Sequence, residues 1–219
     1  MKSHWRKLLS LLPAGMEKKY YRQFFEKEHE KWIENGQPLP VSNLSKQRVL
    51  QAFQKQYGVK TLVETGTYLG DTLYALAGNF ETLYSIELSD HYHLLAKKRF
   101  RKMPWIHLLS GDSAKVLKEV VPTFRAQAMF WLDGHYSGGL TAKGEKECPV
   151  FEELTAIFSS PFEHLIFIDD ARLFVGKNDY PTIDALRQFV SLKRASYSLS
   201  VENDCIRLLP ARAADIFRE

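Results

Sequence analysis

From residue 60 onward, short apolar runs alternate with segments of helical spacing, and this alternation leaves few folds open. Thr61–Thr65, Thr82–Leu88, Ile106–Ser110, Ala128–Asp133 and His164–Asp169 read as strands. Gly70–Gly78, Asp90–Lys102, Ser113–Val120, Pro149–Phe158 and Tyr180–Leu192 read as helices. The strand runs are nearly continuous in apolar residues, as parallel strands are when helices cover both faces of their sheet. The pattern changes near the end: Tyr197–Val201 and Cys205–Leu209 flank Glu202-Asn203-Asp204, a hairpin signal. The expected architecture is α/β, a doubly wound and mostly parallel sheet with a C-terminal antiparallel hairpin.

The 219 residues allow one ordinary domain with a short appendage. Residues 1–42 form that appendage: Tyr20, Tyr21, Phe24 and Phe25 suggest a helix with an apolar stripe, ended by Gly36-Gln37-Pro38-Leu39-Pro40. Residues 43–219 form the main domain, opened by a helix from Ser45 to Tyr57 that Gly58 stops. The net charge of +4 comes without a long basic cluster, so no nucleic-acid partner is expected. Cys148 and Cys205 lie far apart and read as reduced thiols of a cytoplasmic protein. No apolar run reaches the ~18–20 residues of a membrane span, and Leu8-Leu9-Ser10-Leu11-Leu12 is too short for an export signal. A homo-oligomer is compatible with all of this.

In sheets of this kind ligands bind beyond the carboxyl ends of the strands. The first strand ends in Glu64-Thr65-Gly66-Thr67-Tyr68-Leu69-Gly70, a glycine turn leading into a helix. Backbone N–H groups, a helix start and a carboxylate meet there. Gly66 lets a ligand approach the backbone, and Gly70 lets the helix pack close to the strand. Glu64 would repel a phosphate but suits an amino acid's ammonium, as carried by S-adenosylmethionine. The second strand ends in Glu87-Leu88, where the carboxylate can accept from ribose hydroxyls. The third ends in Gly111-Asp112-Ser113, where Asp112 can accept from an adenine amino group and Ser113 can cap the next helix. A dinucleotide site has the same acid spacing, but the middle glycine of G-x-G-x-x-G is missing.

On these residues the chain, from about Ser45 onward, resembles the class I S-adenosylmethionine-dependent methyltransferases, which have a Rossmann-like sheet. Glu64-x-Gly66-x-x-x-Gly70 is similar to the first motif of that family, Glu87 to its ribose acid and Asp112 to its adenine-side acid. The resemblance implies that Glu64, Gly66, Thr67, Tyr68, Gly70, Glu87, Leu88, Asp112, Ser113 and Asp133 line the cofactor site. Tyr68 stands where that motif often has a central glycine, as in subfamilies of small-molecule O-methyltransferases.

The fourth strand ends in Asp133-Gly134-His135 and the fifth in Asp169-Asp170-Ala171-Arg172, so three carboxylates converge beside the expected methyl donor. Carboxylates packed together need a compensating cation, and an oxygen-only set favours a hard one, Mg²⁺ first. Asp133, Asp169 and Asp170 resemble the metal-binding acids of O-methyltransferases of the catechol and macrocin types, where Mg²⁺ binds two vicinal hydroxyl oxygens of the substrate. His135, two residues past the first acid, stands where the sugar enzymes carry their base, and a neutral imidazole suits proton removal. Gly138-Gly139 and Gly144 make the next loop a candidate substrate lid, with Lys143 as a second candidate base. The bland alternative makes Asp133 a turn cap and pairs Asp169-Asp170 with Arg172.

The expectation is therefore an enzyme moving a methyl group from S-adenosylmethionine to a hydroxyl of a small molecule, a sugar or glycoside that is glycan-related, with divalent-cation assistance. Two rivals stand beside it. One keeps the donor but methylates a protein or nucleic acid, although no Asn-Pro-Pro-Tyr-type motif is present. The other is a non-catalytic module that docks through the basic, leucine-bearing N-terminus.

Overall fold

A computed structural model describes residues 14–134 and 148–211. Seven strands form one sheet in the order β3-β2-β1-β4-β5-β7-β6. The strands are β1 (Thr61–Thr65), β2 (Thr82–Glu87), β3 (Ile106–Ser110), β4 (Met129–Leu132), β5 (Leu165–Ile168), β6 (Tyr197–Glu202) and β7 (Cys205–Pro210). The first five run parallel, and β7 inserts antiparallel between β5 and β6. The helices are α1 (Ala14–Glu34), α2 (Asn43–Tyr57), α3 (Asp71–Leu76), α4 (Asp90–Phe100), α5 (Ser113–Val120), α6 (Val150–Phe158) and α7 (Ile183–Lys193). The expected order of elements holds, and the boundaries move by a few residues. The helix expected over Gly70–Gly78 is only six residues long. The strands expected to include Asp133 and Asp169 stop one residue short of each, although both amides still donate to the neighbouring strand ends, to the Thr65 and Leu132 carbonyls.

Period-two alternation along the strands sorts the core into two layers. Val63, Phe130, Leu132, Ile166 and Ile168 face Leu117 of α5, Leu154 of α6 and Leu186 of α7. Leu62, Met129, Trp131, Leu165 and Phe167 face Leu50 and Phe53 of α2, Leu73 and Leu76 of α3, and Phe100 of α4. Truncating a fully buried leucine such as Leu62 or Leu154 would cost roughly 2–5 kcal/mol.

Local chemistry explains the ends of the elements. Ser42 caps α2 by accepting from Ser45 N at 3.3 Å, so that helix begins before Ser45. Gly58 ends it at φ +63°, donating to the Gln54 carbonyl. Asn203 and Asp204 both have positive φ, the requirement of a two-residue hairpin turn, which Asn and Asp meet at low cost. The N-terminal helix α1 packs on the main body: Tyr21 and Phe25 are buried, and the Tyr21 hydroxyl donates to the Asp71 carbonyl at 2.6 Å. Cys148 and Cys205 are both buried and free.

Candidate functional site

The turn after β1 is held by its own backbone. Gly66 N donates to the Ile86 carbonyl at 2.9 Å, Gly70 N to the Thr67 carbonyl at 2.7 Å, and Tyr68 N to Glu87 Oε2 at 2.7 Å. Three of the amides that the sequence offered to a ligand are therefore already used, and they fix the turn instead. Gly66 sits at φ +83°, and a Cβ there would lie 2.4 Å from the Asp133 carbonyl oxygen. The glycine thus brings the turn after β1 against the fourth strand end. Gly70 makes a different contact from the one expected. Its open side is filled by the Phe100 ring of α4, 2.6 Å from where a Cβ would be, and not by a strand. Tyr68 is at φ +46°, the left-handed conformation that a glycine normally supplies.

The two strand-end glutamates have distinct environments. Glu64 is 2 % exposed and accepts from Ser85 Oγ at 2.6 Å, and that hydroxyl lies 2.6 Å from Thr67 Oγ1. Burial pushes its carboxyl up to about 8, while the Ser85 and Thr72 hydroxyls pull the other way. Glu87 accepts from Tyr68 N and from Ser89 N at 2.8 Å. A carboxylate has about four acceptor positions, so roughly two remain for ribose hydroxyls. Leu88 is exposed beside it. Asp112 spends Oδ1 on Ala114 N at 2.9 Å, capping α5, so the cap belongs to Asp112 and Ser113 is the first helical residue.

At the next two strand ends, oxygens of Asp133, Asp169 and Asp170 lie within 4.8 Å of one another. Burial, then the Asp169 charge, holds the Asp133 carboxyl well above its usual range. Burial raises Asp169 to about 6 against the opposing pull of Lys46. Lys46 is the residue that sequence reasoning missed. Its Nζ donates to Asp169 Oδ2 and lies 3.7 Å from Asp170 Oδ1. A signal for it did exist: α2 runs into β1, so its first turn must sit over the carboxyl ends of the strands. Arg172 bonds Asp170 at 2.8 Å and also bonds Asp204, the pairing that the ion-pair alternative expected. Two cations among four carboxylates leave a surplus of two negative charges when all are ionised. Asp169 Oδ1 is buried with no hydrogen-bond partner among the described residues. Hard oxygen donors, excess negative charge and an orphaned buried oxygen fit a divalent cation.

A further acid, Glu153 of α6, was also missed. It is fully buried beneath Thr65 and Gly134, and burial raises it to about 7 against the pull of the Ser113 and Thr65 hydroxyls. His135 and Lys143, the candidate bases, and the glycine-rich loop lie outside the described residues.

A small cavity of about 20 Å³ adjoins Lys46 and is lined by Val41, Val49, Trp131, Cys205 and Arg207 among others. Its walls are mostly apolar, and the Trp131 Nε1–H and Arg207 Nε–H are buried there without acceptors among the described residues. That volume is room for about one water-sized group, too little for an acceptor ring.

Solved structures share this fold. An O-methyltransferase from Bacillus cereus, in complex with SAH, superposes with a TM-score of 0.58 at 13 % identity, covering 91 % of this chain and 93 % of that one. TomG, an O-methyltransferase from Streptomyces achromogenes involved in tomaymycin synthesis and solved with SAM, gives 0.56 at 16 % identity, covering 85 % and 89 %. The SAH-bound methyltransferase PaMTH1 from Podospora anserina gives 0.55 at 14 %, covering 91 % and 98 %. No protein-family model and no curated protein matches the chain. The chain therefore has the fold of the class I S-adenosylmethionine-dependent methyltransferases, with its antiparallel C-terminal pair.

Proposed function

We propose that this protein is an S-adenosylmethionine-dependent O-methyltransferase acting on a hydroxyl of a small molecule, a sugar or glycoside, with a divalent cation at Asp133, Asp169 and Asp170. The observation that carries the reading is a contact between two halves of one site: the Gly66 turn abuts the Asp133 backbone. A donor held on that turn has its methyl group beside the carboxylates.

The chain's own residues divide the work. Glu64 receives the donor's ammonium, which favours its ionised form. Glu87 uses its remaining lone pairs on the ribose hydroxyls, and Asp112 uses Oδ2, free of the helix cap, on the adenine amino group. Asp133, Asp169 and Asp170 hold the cation, which supplies acidification and alignment of the acceptor hydroxyl. His135 takes the hydroxyl proton as oxygen bonds to the methyl carbon and the carbon–sulfur bond breaks in line. The neutral thioether then leaves.

The ion pairs at the site favour a second reading, in which Lys46 and Arg172 neutralise the acids and no metal takes part. Activity in excess chelator decides between the two. No helix among the described residues is long and apolar enough to cross a membrane. We place the reaction in the cytoplasm, where free thiols such as Cys148 and Cys205 persist. The deciding experiment for the donor is calorimetric titration with S-adenosylhomocysteine against NADH. Tighter binding of NADH would end the methyltransferase reading.

A further inference from the structure

We propose that Lys46 and a divalent cation are alternative occupants of the Asp133–Asp169–Asp170 cluster, and that the displaced ammonium moves into the adjoining cavity. The inference rests on the cation assigned above and concerns what that cation must replace.

Lys46 Nζ already serves as a resident cation. It reaches Asp169 and Asp170, and its charge is felt by Asp133 as well. The second cation nearby cannot take over, because Arg172 is committed to Asp170 and Asp204. An ammonium is a poor match for three converging carboxylates. It offers one charge and three N–H donors, and it leaves Asp169 Oδ1 buried without a partner among the described residues. A divalent ion can take one oxygen from each acid and doubles the compensating charge. Lys46 Nζ holds Asp169 Oδ2 and stands 3.7 Å from Asp170 Oδ1, on acids whose oxygens the ion would take, so a bound cation competes with the lysine for the same place.

The exit is already built. Lys46 lines the small cavity of about 20 Å³, room for one ammonium-sized group, between α2 and the β6–β7 hairpin, together with Val41, Val49 and Trp131. Glu202 stands on the same wall, and its carboxylate, 2.6 Å from Arg207 Nη1, is largely exposed. The flexible four-carbon stem lets Nζ turn from the cluster toward that wall by side-chain rotation. Cation binding thereby delivers an N–H donor into the space beside the reaction centre, where it can bond an acceptor's oxygen. Lys46 is on this view a positioning residue that couples the cation to the acceptor.

The test needs no activity. Mn²⁺ binding is measured by electron paramagnetic resonance of the free ion, on wild type, Lys46→Gln, Lys46→Arg and Asp169→Asn. Lys46→Gln should bind one Mn²⁺ roughly tenfold tighter or more, because the competing charge is gone. Lys46→Arg should stay near wild type, and Asp169→Asn should lose the site. In parallel, wild type carrying ¹³C-labelled lysine is titrated with Mg²⁺. One lysine resonance, missing in Lys46→Arg, should shift with the Mg²⁺ saturation curve. Equal Mn²⁺ affinity in wild type and Lys46→Gln overturns the exchange while leaving the cation site standing. Binding to neither protein overturns both, yet leaves the S-adenosylhomocysteine titration to judge the donor separately. Should Lys46→Gln fail to fold, a lysine resonance unmoved at saturating Mg²⁺ overturns the proposal.

Discussion

Gly66 and Asp133 are in backbone contact: a single Cβ on the glycine would fall 2.4 Å from the aspartate's carbonyl oxygen and 2.8 Å from its carbonyl carbon. Residues 67 positions apart are thereby locked together, and the donor turn and the carboxylate cluster become one rigid unit. Two further bonds reinforce it, from Asp133 N to the Thr65 carbonyl at 3.1 Å and from Gly134 N to Thr65 Oγ1 at 3.2 Å.

Gly66→Ala should accordingly be costly. The methyl group collides with backbone that cannot swing aside, at a φ that L-residues avoid. We expect a loss of roughly 2–4 kcal/mol in urea denaturation, together with loss of S-adenosylhomocysteine binding. Unchanged stability would mean that the two strand ends are not in contact.

Glu87→Gln keeps the size of the side chain but turns one acceptor oxygen into an N–H₂ donor. Tyr68 N, Ser89 N and the ribose hydroxyls then compete for a single oxygen. S-adenosylhomocysteine affinity should fall about 10- to 100-fold by calorimetry. Wild-type affinity in the variant would remove Glu87 from the donor site.

Glu64 supplies a pH dependence with a definite sign. Its carboxyl is raised to about 8 in the folded chain, above the ordinary value of 4.5. The folded state therefore holds a proton that the unfolded state gives up. Its contribution to stability is complete below pH 4.5 and is lost as pH rises toward 8. Glu64→Gln should flatten that part of the stability–pH curve. At pH 7 donor binding should release a proton as the ammonium stabilises the carboxylate, seen as buffer-dependent binding enthalpy, and Glu64→Gln should abolish the release.

Asp169→Asn separates donor from cation. Methyl transfer to a suitable acceptor should fall at least a hundredfold and stop responding to Mg²⁺, while S-adenosylhomocysteine binds within about threefold of wild type. In wild type, EDTA should abolish turnover and Mg²⁺ restore it. Full turnover in excess chelator would assign the acids to Lys46 and Arg172 alone.

His135→Ala should slow the chemical step by roughly 10²–10⁴-fold with donor affinity unchanged. Single-turnover rates near wild type would move the role of base to another residue, Lys143 first.

The sequence by itself determined the order of elements and the place of the acids. Apolar runs such as Phe130–Leu132 and Leu165–Ile168 have no polar face to turn to water, so they had to become buried parallel strands. Once that is so, the residues just after them, Asp133 and Asp169, must lie at the ligand end. Local chemistry was equally legible: Gly58 as a helix stop and Asn203-Asp204 as a turn depend only on neighbours a few residues away. What only the tertiary structure decided is which partners those side chains take. Lys46 meets Asp169 across 123 positions of chain, Phe100 fills the space beside Gly70, and Glu153 disappears beneath Gly134. No periodicity encodes such pairings, because they follow from how α2, α4 and α6 lie on the sheet. The charge balance of the site is set in the same way, since burial and a distant lysine, acting together, fix the state of carboxylates that the sequence could only place side by side.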